Sequence, residues 1–286
     1  MRKRSCFIKR AILMVMLCLS VVVSMPCSVS AKTQQVTSGN KKVDKKAKAI
    51  IKKTITSDMS DAQKVKAIHD YIVLNCAYDY DNLLKGTIPA VSYTAEGVLL
   101  KKTAVCQGYA EAFKLLMDMI GIPCKMVTGS ADNGSGYDGH AWNIVKVSGK
   151  WYHIDVTWDD PTPDRKNYVR YAYFLIPDKK IDDDHKWNRS SYKKCTTDSS
   201  SKFIRLIGEV SETVDEAVDA LYDDYMLHNG SQSTIIINKK LYNKEFHYDL
   251  FDGLAERYGL RFYGWRYTEP VEYGNYYMIQ FQDFSY

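Results

Sequence analysis

Three side chains with complementary chemistry stand apart in this chain: a thiol at Cys106, an imidazole at His140 and a carboxylate at Asp155. A thiol attacks well only after losing its proton, an imidazole is suited to taking it near neutral pH, and a carboxylate fixes that ring's tautomer and orientation. Brought together, they would attack a carbonyl carbon and form an acyl-thioester. Whether they converge depends on the elements that carry them.

Within the stretch from Thr103 to Pro123, everything from Cys106 to Ile120 has helical period, with Cys106, Ala110, Phe113, Met117 and Ile120 on one apolar stripe and Gly121 and Pro123 as the stop. Cys106 therefore opens the predicted helix, where unpaired N–H groups and the dipole's positive end favour an anion. Its bland alternative is a small buried hydrophobe. Two apolar strands follow, His140 to Val147 and Lys150 to Trp158, joined by Ser148-Gly149, a pair suited to a two-residue hairpin. In that register Val147 faces Lys150 and Trp142 faces Asp155, so His140, Trp142, His153 and Asp155 share a face. His140 and Asp155 become diagonal neighbours, and a slip of one residue would separate them. His153 is the rival base.

The pieces VCQGYA around Cys106, GHAWNIV around His140 and WYHIDVTW around Asp155 resemble the transglutaminase-like superfamily of papain-type thiol enzymes. IHDYIVLNCAYD, YAYFLIPD and a trailing His185 and Trp187 agree with bacterial members, and the likeness runs roughly from Val65 to Trp187. It implies an α+β fold, a papain-like, transglutaminase-like core with the nucleophile helix packed on an antiparallel sheet. It also implies that Cys106 is the nucleophile, His140 the base and later the acid, and Asp155 the group that holds His140. Gln107, Tyr93 and an unseen backbone N–H are open as the second oxyanion donor. Trp142, Trp151 and Trp158 read either as cleft walls, with Trp142 and Trp158 as substrate-binding residues, or as core. The large flanking β-domains of calcium-dependent animal members have no counterpart, and Asp182-Asp183-Asp184 reads as a solvated turn, so no metal and no cofactor is expected.

Arg2, Lys3, Arg4, Lys9 and Arg10 precede an apolar run from Ala11 to Val23, and Val29-Ser30-Ala31 has a cleavage site's small residues. Residues 1–31 read as a signal peptide, with a lipoprotein reading through Cys27 weaker. The leader holds five of the 39 basic residues, so 34 basic face 34 acidic in the remainder, and the balance gives no reason to expect nucleic acid. About 255 residues remain, enough for a sizeable core, with only Cys76, Cys106, Cys124 and Cys195, too few for a disulfide scaffold. Residues 32–56 read as a polar, Lys-rich tether with a solvated helix face, 57–202 as the catalytic domain and 203–286 as a small C-terminal α/β module. Gly129 to Gly139, with four glycines, reads as a flexible loop able to gate the site, and His69 and Asp70 as surface or packing residues. In the module, Ile204 to Val210 reads as a strand, then helix, strand, helix and a closing strand pair. It holds 11 of the 22 tyrosines, which suit packing better than glycan or peptide binding.

The sequence thus predicts an exported or cell-surface cysteine enzyme acting on a protein or cell-wall peptide, with hydrolysis favoured over amine transfer. A non-catalytic adaptor that keeps the fold is the alternative.

Overall fold

A lysine-rich helix opens the described chain. The structure, a computed structural model, describes residues 36–165 and 168–285, and the expected leader lies outside the described residues. Helix α1 (Lys41–Thr54) is capped by the Asn40 side chain, which accepts from the backbone N–H groups of Lys42 and Val43. Val43, Ala47 and Ile50 fall on one stripe of α1 and are buried in the main core. Burying Val43 and Ile50 is worth roughly 1.5–3 kcal/mol each, ample to hold the helix down. The expected tether over 32–56 is therefore corrected: from Lys41 onward it is part of the packed domain, with the lysines on its outer side.

Helix α2 (Asp61–Val73) starts with a capping box: the Ser60 side chain accepts from the Gln63 N–H, and the Gln63 side chain accepts from the Ser60 N–H. The short strand β1 (Ala77–Tyr78) pairs in parallel with β2 (Thr103–Ala104), and helix α3 (Tyr80–Lys85) lies between them in sequence. Helix α4 (Cys106–Met119) then begins directly after β2. Its early Gly108 allows close approach: a Cβ there would lie 2.5 Å from the Ser92 carbonyl oxygen.

Strands β3 (Cys124–Asp132), β4 (Tyr137–Val147) and β5 (Lys150–Ile154) run antiparallel, and after the short helix α5 (Asp178–Ile181) strand β6 (His185–Trp187) joins β3, giving the order β5-β4-β3-β6. The β4–β5 register is the expected one, Val147 opposite Lys150 through Asn143 opposite Ile154. Ser148 and Gly149 both have positive φ, 49° and 80°, as a type I′ turn requires. The expected long gating loop is corrected. Most of residues 129–139 is ladder, and the turn is only 133–136, where Asp132 Oδ1 accepts from the N–H groups of Gly134 and Gly136. Gly129 is a packing glycine, since a Cβ there would sit 2.1 Å from the Lys186 carbonyl oxygen of β6.

Val145 and Val147 join Phe113, Leu116 and Met117 of α4 in the main core, while Trp142 and Ile144 join a smaller core with Val127 and Ile176. Asn143 bonds the layers: its side-chain amide donates to the Ala110 carbonyl of α4 at 3.1 Å.

After residue 199 the expected strand at Ile204 to Val210 is instead helix α6 (Ser200–Ile207), which crosses the boundary expected at 202/203 and buries Phe203 and Ile204 in the main core. Strand β7 (Val210–Ser211), helix α7 (Val214–Leu227), strand β8 (Gln232–Asn238), helix α8 (Phe246–Tyr258) and strands β9 (Gly264–Tyr267), β10 (Val271–Tyr273) and β11 (Tyr276–Ser285) complete the chain. They form a second sheet, β10-β11-β8-β7 with β9 on β11, whose helices share a separate aromatic core. Among the described residues, Cys76, Cys106, Cys124 and Cys195 are free thiols, and no helix is long and apolar enough to cross a membrane.

Candidate active site

Cys106 stands at the first turn of α4, which follows Val105, a residue with no side-chain oxygen to cap the helix. The backbone N–H groups of that turn are thus left without a side-chain acceptor. His140 comes from β4 and Asp155 from the residue just past β5, placed by the hairpin register. Their side chains meet as that register requires: His140 Nε2 lies 2.6 Å from Asp155 Oδ2. The Cys106 thiol lies against the same ring, with Nε2 already committed, so Nδ1 is the nitrogen left for sulfur.

Asp155 is fully buried and saturated with donors. Oδ1 accepts from the N–H groups of Thr157 and Trp158 at 3.0 and 3.2 Å, and Oδ2 from His140 and from His185 Nε2 at 3.0 Å. Burial disfavours a charged His140, but the Asp155 charge and hydrogen bond outweigh it, with Cys106 adding, and the ring is raised to about 10. Asp155 is likewise penalised by burial, yet the His140 charge and the two ring N–H bonds hold it well below the usual carboxylate range.

His153 is occupied elsewhere: its Nδ1 accepts from the Trp142 indole N–H at 2.9 Å and its Nε2 faces Asp178 at 2.8 Å. Trp142, expected as a substrate-binding wall, is corrected to a core residue. It is 1% exposed and stacks beneath His140. Trp158 does reach the cleft and packs against both His140 and His185. Gln107 is exposed and its carboxamide donates to Glu111 at 3.1 Å, so any part in oxyanion binding falls to its backbone. Tyr93 is more than a third exposed.

A cleft of about 550 Å³ opens at His140, lined by Tyr78, Trp158, Asp160, Arg170 and Tyr173 among others. Sequence reasoning missed Tyr78: burial keeps its phenol protonated, and the neighbouring charges of Cys106 and Asp155 reinforce this. Its position was implicit in β1, whose pairing with β2 sets Tyr78 opposite Ala104, two residues before Cys106. His69, expected as a surface or packing residue, is a packing one. It is fully buried, with Nδ1 2.9 Å from Asp70 and Nε2 3.1 Å from Asp159, and so ties α2 to the segment after Asp155.

Among the described residues, two groups have a composition that can hold a metal ion, His140 with Asp155 and His185, and His153 with Asp178 and Cys195. In the second, the Trp142 N–H on Nδ1 leaves the only ring proton on Nε2, where a metal would have to bind, contrary to the usual arrangement in which a ligating histidine donates through its other nitrogen. In the first, both Nε2 atoms are directed at one Asp155 oxygen.

Residues 48–156 match the description "Transglutaminase-like superfamily". Curated relatives include the Kyphoscoliosis peptidase of Mus musculus, 27% identical over 41% of this chain and 19% of its own length, and that of Homo sapiens, 29% identical over 35% and 16%. The chain thus spans less than a fifth of those proteins. Among solved structures, a chain described as a TGase aligns with a TM-score of 0.39 and 23% identity, over 48% of this chain and 37% of that one.

Proposed function

From the premise that residues 48–156 belong to the transglutaminase-like superfamily, we propose that this protein is a cysteine enzyme that opens a carboxamide or peptide bond through an acyl-thioester on Cys106. The observation that carries the reading is the convergence on one ring: Asp155 at Nε2 of His140, and the Cys106 thiol as a second hydrogen-bond partner of the same imidazole.

His140 Nδ1 takes the thiol proton, giving a thiolate–imidazolium pair, while Asp155 holds the tautomer and stabilises the charged ring. The thiolate attacks the carbonyl carbon. The resulting oxyanion lies at the uncapped first turn of α4, with the Tyr78 hydroxyl as a side-chain donor, an arrangement worth about 10²-fold or more per donor. His140 passes its proton to the leaving amine or ammonia. It then takes one from an incoming water, which releases the acid and restores the thiol. Hydrolysis is favoured over transfer to an amine, in keeping with the peptidase names of the relatives. With the leader-like residues 1–31, the substrate is a protein or cell-wall peptide outside the cytoplasm.

The test is to incubate the protein with an unstructured protein and a labelled primary amine, then examine products by mass spectrometry beside Cys106→Ala. New termini mean hydrolysis, label at Gln means transfer, and a one-dalton gain at Gln means deamidation. Products identical to those of the Cys106→Ala control refute the reading.

A further inference from the structure

Asp155 does not serve His140 alone. On its other side stands His185, fully buried, with Nε2 3.0 Å from Asp155 Oδ2 and Nδ1 2.5 Å from Asp184 Oδ1. A neutral imidazole has one N–H and cannot donate to carboxylates at both nitrogens, whereas an imidazolium can. The surroundings suit a cation. Trp158 and Trp142 present rings 4.5 and 4.9 Å from the His185 centroid, and the Tyr173 hydroxyl donates to Asp184 Oδ2 at 2.5 Å. Five groups therefore run in line: Asp184, His185, Asp155, His140 and Cys106.

We propose that His185 is a positioning residue of this site, a second imidazolium that clamps the Asp155 carboxylate between β6 and β4 and limits how tightly His140 holds its proton. The inference rests on the thiol-enzyme reading above. Its physical basis is that one carboxylate oxygen is shared by two rings whose centroids are 5.3 Å apart. The shared bonds fix the oxygen, and the two like charges repel. The balance of influences on His185 agrees: burial opposes its charge, Asp155 and Asp184 override that, and His140 works against it. The titratable groups facing the two rings are Asp155, Asp184, Tyr173 and His153 around His185, with Cys106 and, through Cys106 and Asp155, Tyr78 around His140.

The test follows the rate of Cys106 alkylation by iodoacetamide from pH 4 to 11 in the full chain, read by mass spectrometry. Burial keeps competing thiols silent, with Cys76 pushed up to about 12 and Cys124 and Cys195 raised as well. Wild type is compared with His140→Ala, His185→Gln and Asp184→Asn, each checked by thermal melting. In His185→Gln the plateau rate falls about tenfold as Asp155 loses its clamp, and the upper limb of the profile moves up by about one pH unit as the repelling charge goes. Asp184→Asn moves the upper limb the same way by less and leaves the plateau nearly unchanged, since the bond to Asp155 remains. It decides the matter if His185→Gln does not fold. A folded His185→Gln whose profile is merely scaled down, with both limbs in place, overturns the inference in favour of simple packing. A wild-type profile that ignores His140→Ala overturns the thiol-enzyme reading itself, and the clamp with it.

Discussion

Replacing Asp155 by Asn changes one atom's chemistry and leaves the shape intact. The asparagine carbonyl still accepts from the N–H groups of Thr157 and Trp158, so its amide nitrogen is turned toward His140 and His185. An amide N–H cannot accept from an imidazolium. His140 is then driven to keep its single proton on Nδ1, the nitrogen facing sulfur, and loses its capacity as base. The elevation of His140 from 6.5 to about 10 corresponds to roughly 5 kcal/mol favouring the charged ring, most of it due to the carboxylate. Its removal lowers the thiolate–imidazolium population on the order of 10³-fold. Stability falls as well, by roughly 3 kcal/mol or about 6–12 °C, because a buried pair is broken while two of the four bonds survive.

The pH dependence has a definite sign. His140 binds its proton more tightly folded than unfolded, so its contribution is complete below about pH 6.5 and is lost as the pH rises through about 10. Asp155, held low when folded, contributes above the ordinary carboxylate range and loses that only in strong acid. The deficit of Asp155→Asn is therefore widest between about pH 4 and 7 and narrows toward pH 10. Iodoacetamide labelling of Cys106 at pH 6.5, with thermal melts at several pH values, measures both effects. A folded variant that labels within about threefold of wild type would refute the reasoning.

Three other outcomes are expected. Gly129→Ala forces a methyl into the Lys186 carbonyl oxygen 2.1 Å away, so it costs more than about 2 kcal/mol in a thermal melt and slows Cys106 labelling as β6 and His185 shift; an unchanged melt would contradict the close approach. Asp160 is raised to about 7, chiefly by burial, against a bond from the Tyr109 hydroxyl, so its ionisation weakens the fold as pH climbs from about 4 to 7. Asp160→Asn should then stabilise by on the order of 2 kcal/mol at pH 8 and by nothing at pH 4, as parallel melts will show. Tyr78→Phe should slow acyl-thioester formation about 10- to 100-fold while leaving iodoacetamide labelling, which forms no oxyanion, untouched.

What could be read in advance was whatever local chemistry dictates. Ser148-Gly149 admits the left-handed backbone a type I′ turn needs, and once that turn is placed, period-two alternation puts His140 beside Asp155 without further information. Cys106 at a helix start followed from the apolar stripe and its Gly-Pro stop. Composition misled where one residue type has two uses. Four glycines in 129–139 suggested slack, yet Gly129 is there because β6 passes too close for a side chain, and Gly139 lies within β4. Seven lysines in α1 masked the buried Val43, Ala47 and Ile50. Phe203, Ile204 and the residues after them alternated well enough to pass for a strand, although Phe203 and Ile204 are adjacent and both buried, which a helix allows and a one-sided strand does not. His185 was visible only as a trailing residue of the resemblance, without a role: it meets Asp155 across 30 residues of chain, through a strand only three residues long.

Helix α1 sets the limit to what can be pared from the protein. Its outer lysines make it resemble a disposable leader, but its inner side packs against α2, α4 and the turn that precedes Cys106, so it is a wall of the same building. A fragment begun at residue 57 would uncover an oily floor beneath the nucleophile helix and invite aggregation. The smallest transplantable version of this domain starts at the asparagine that caps that helix.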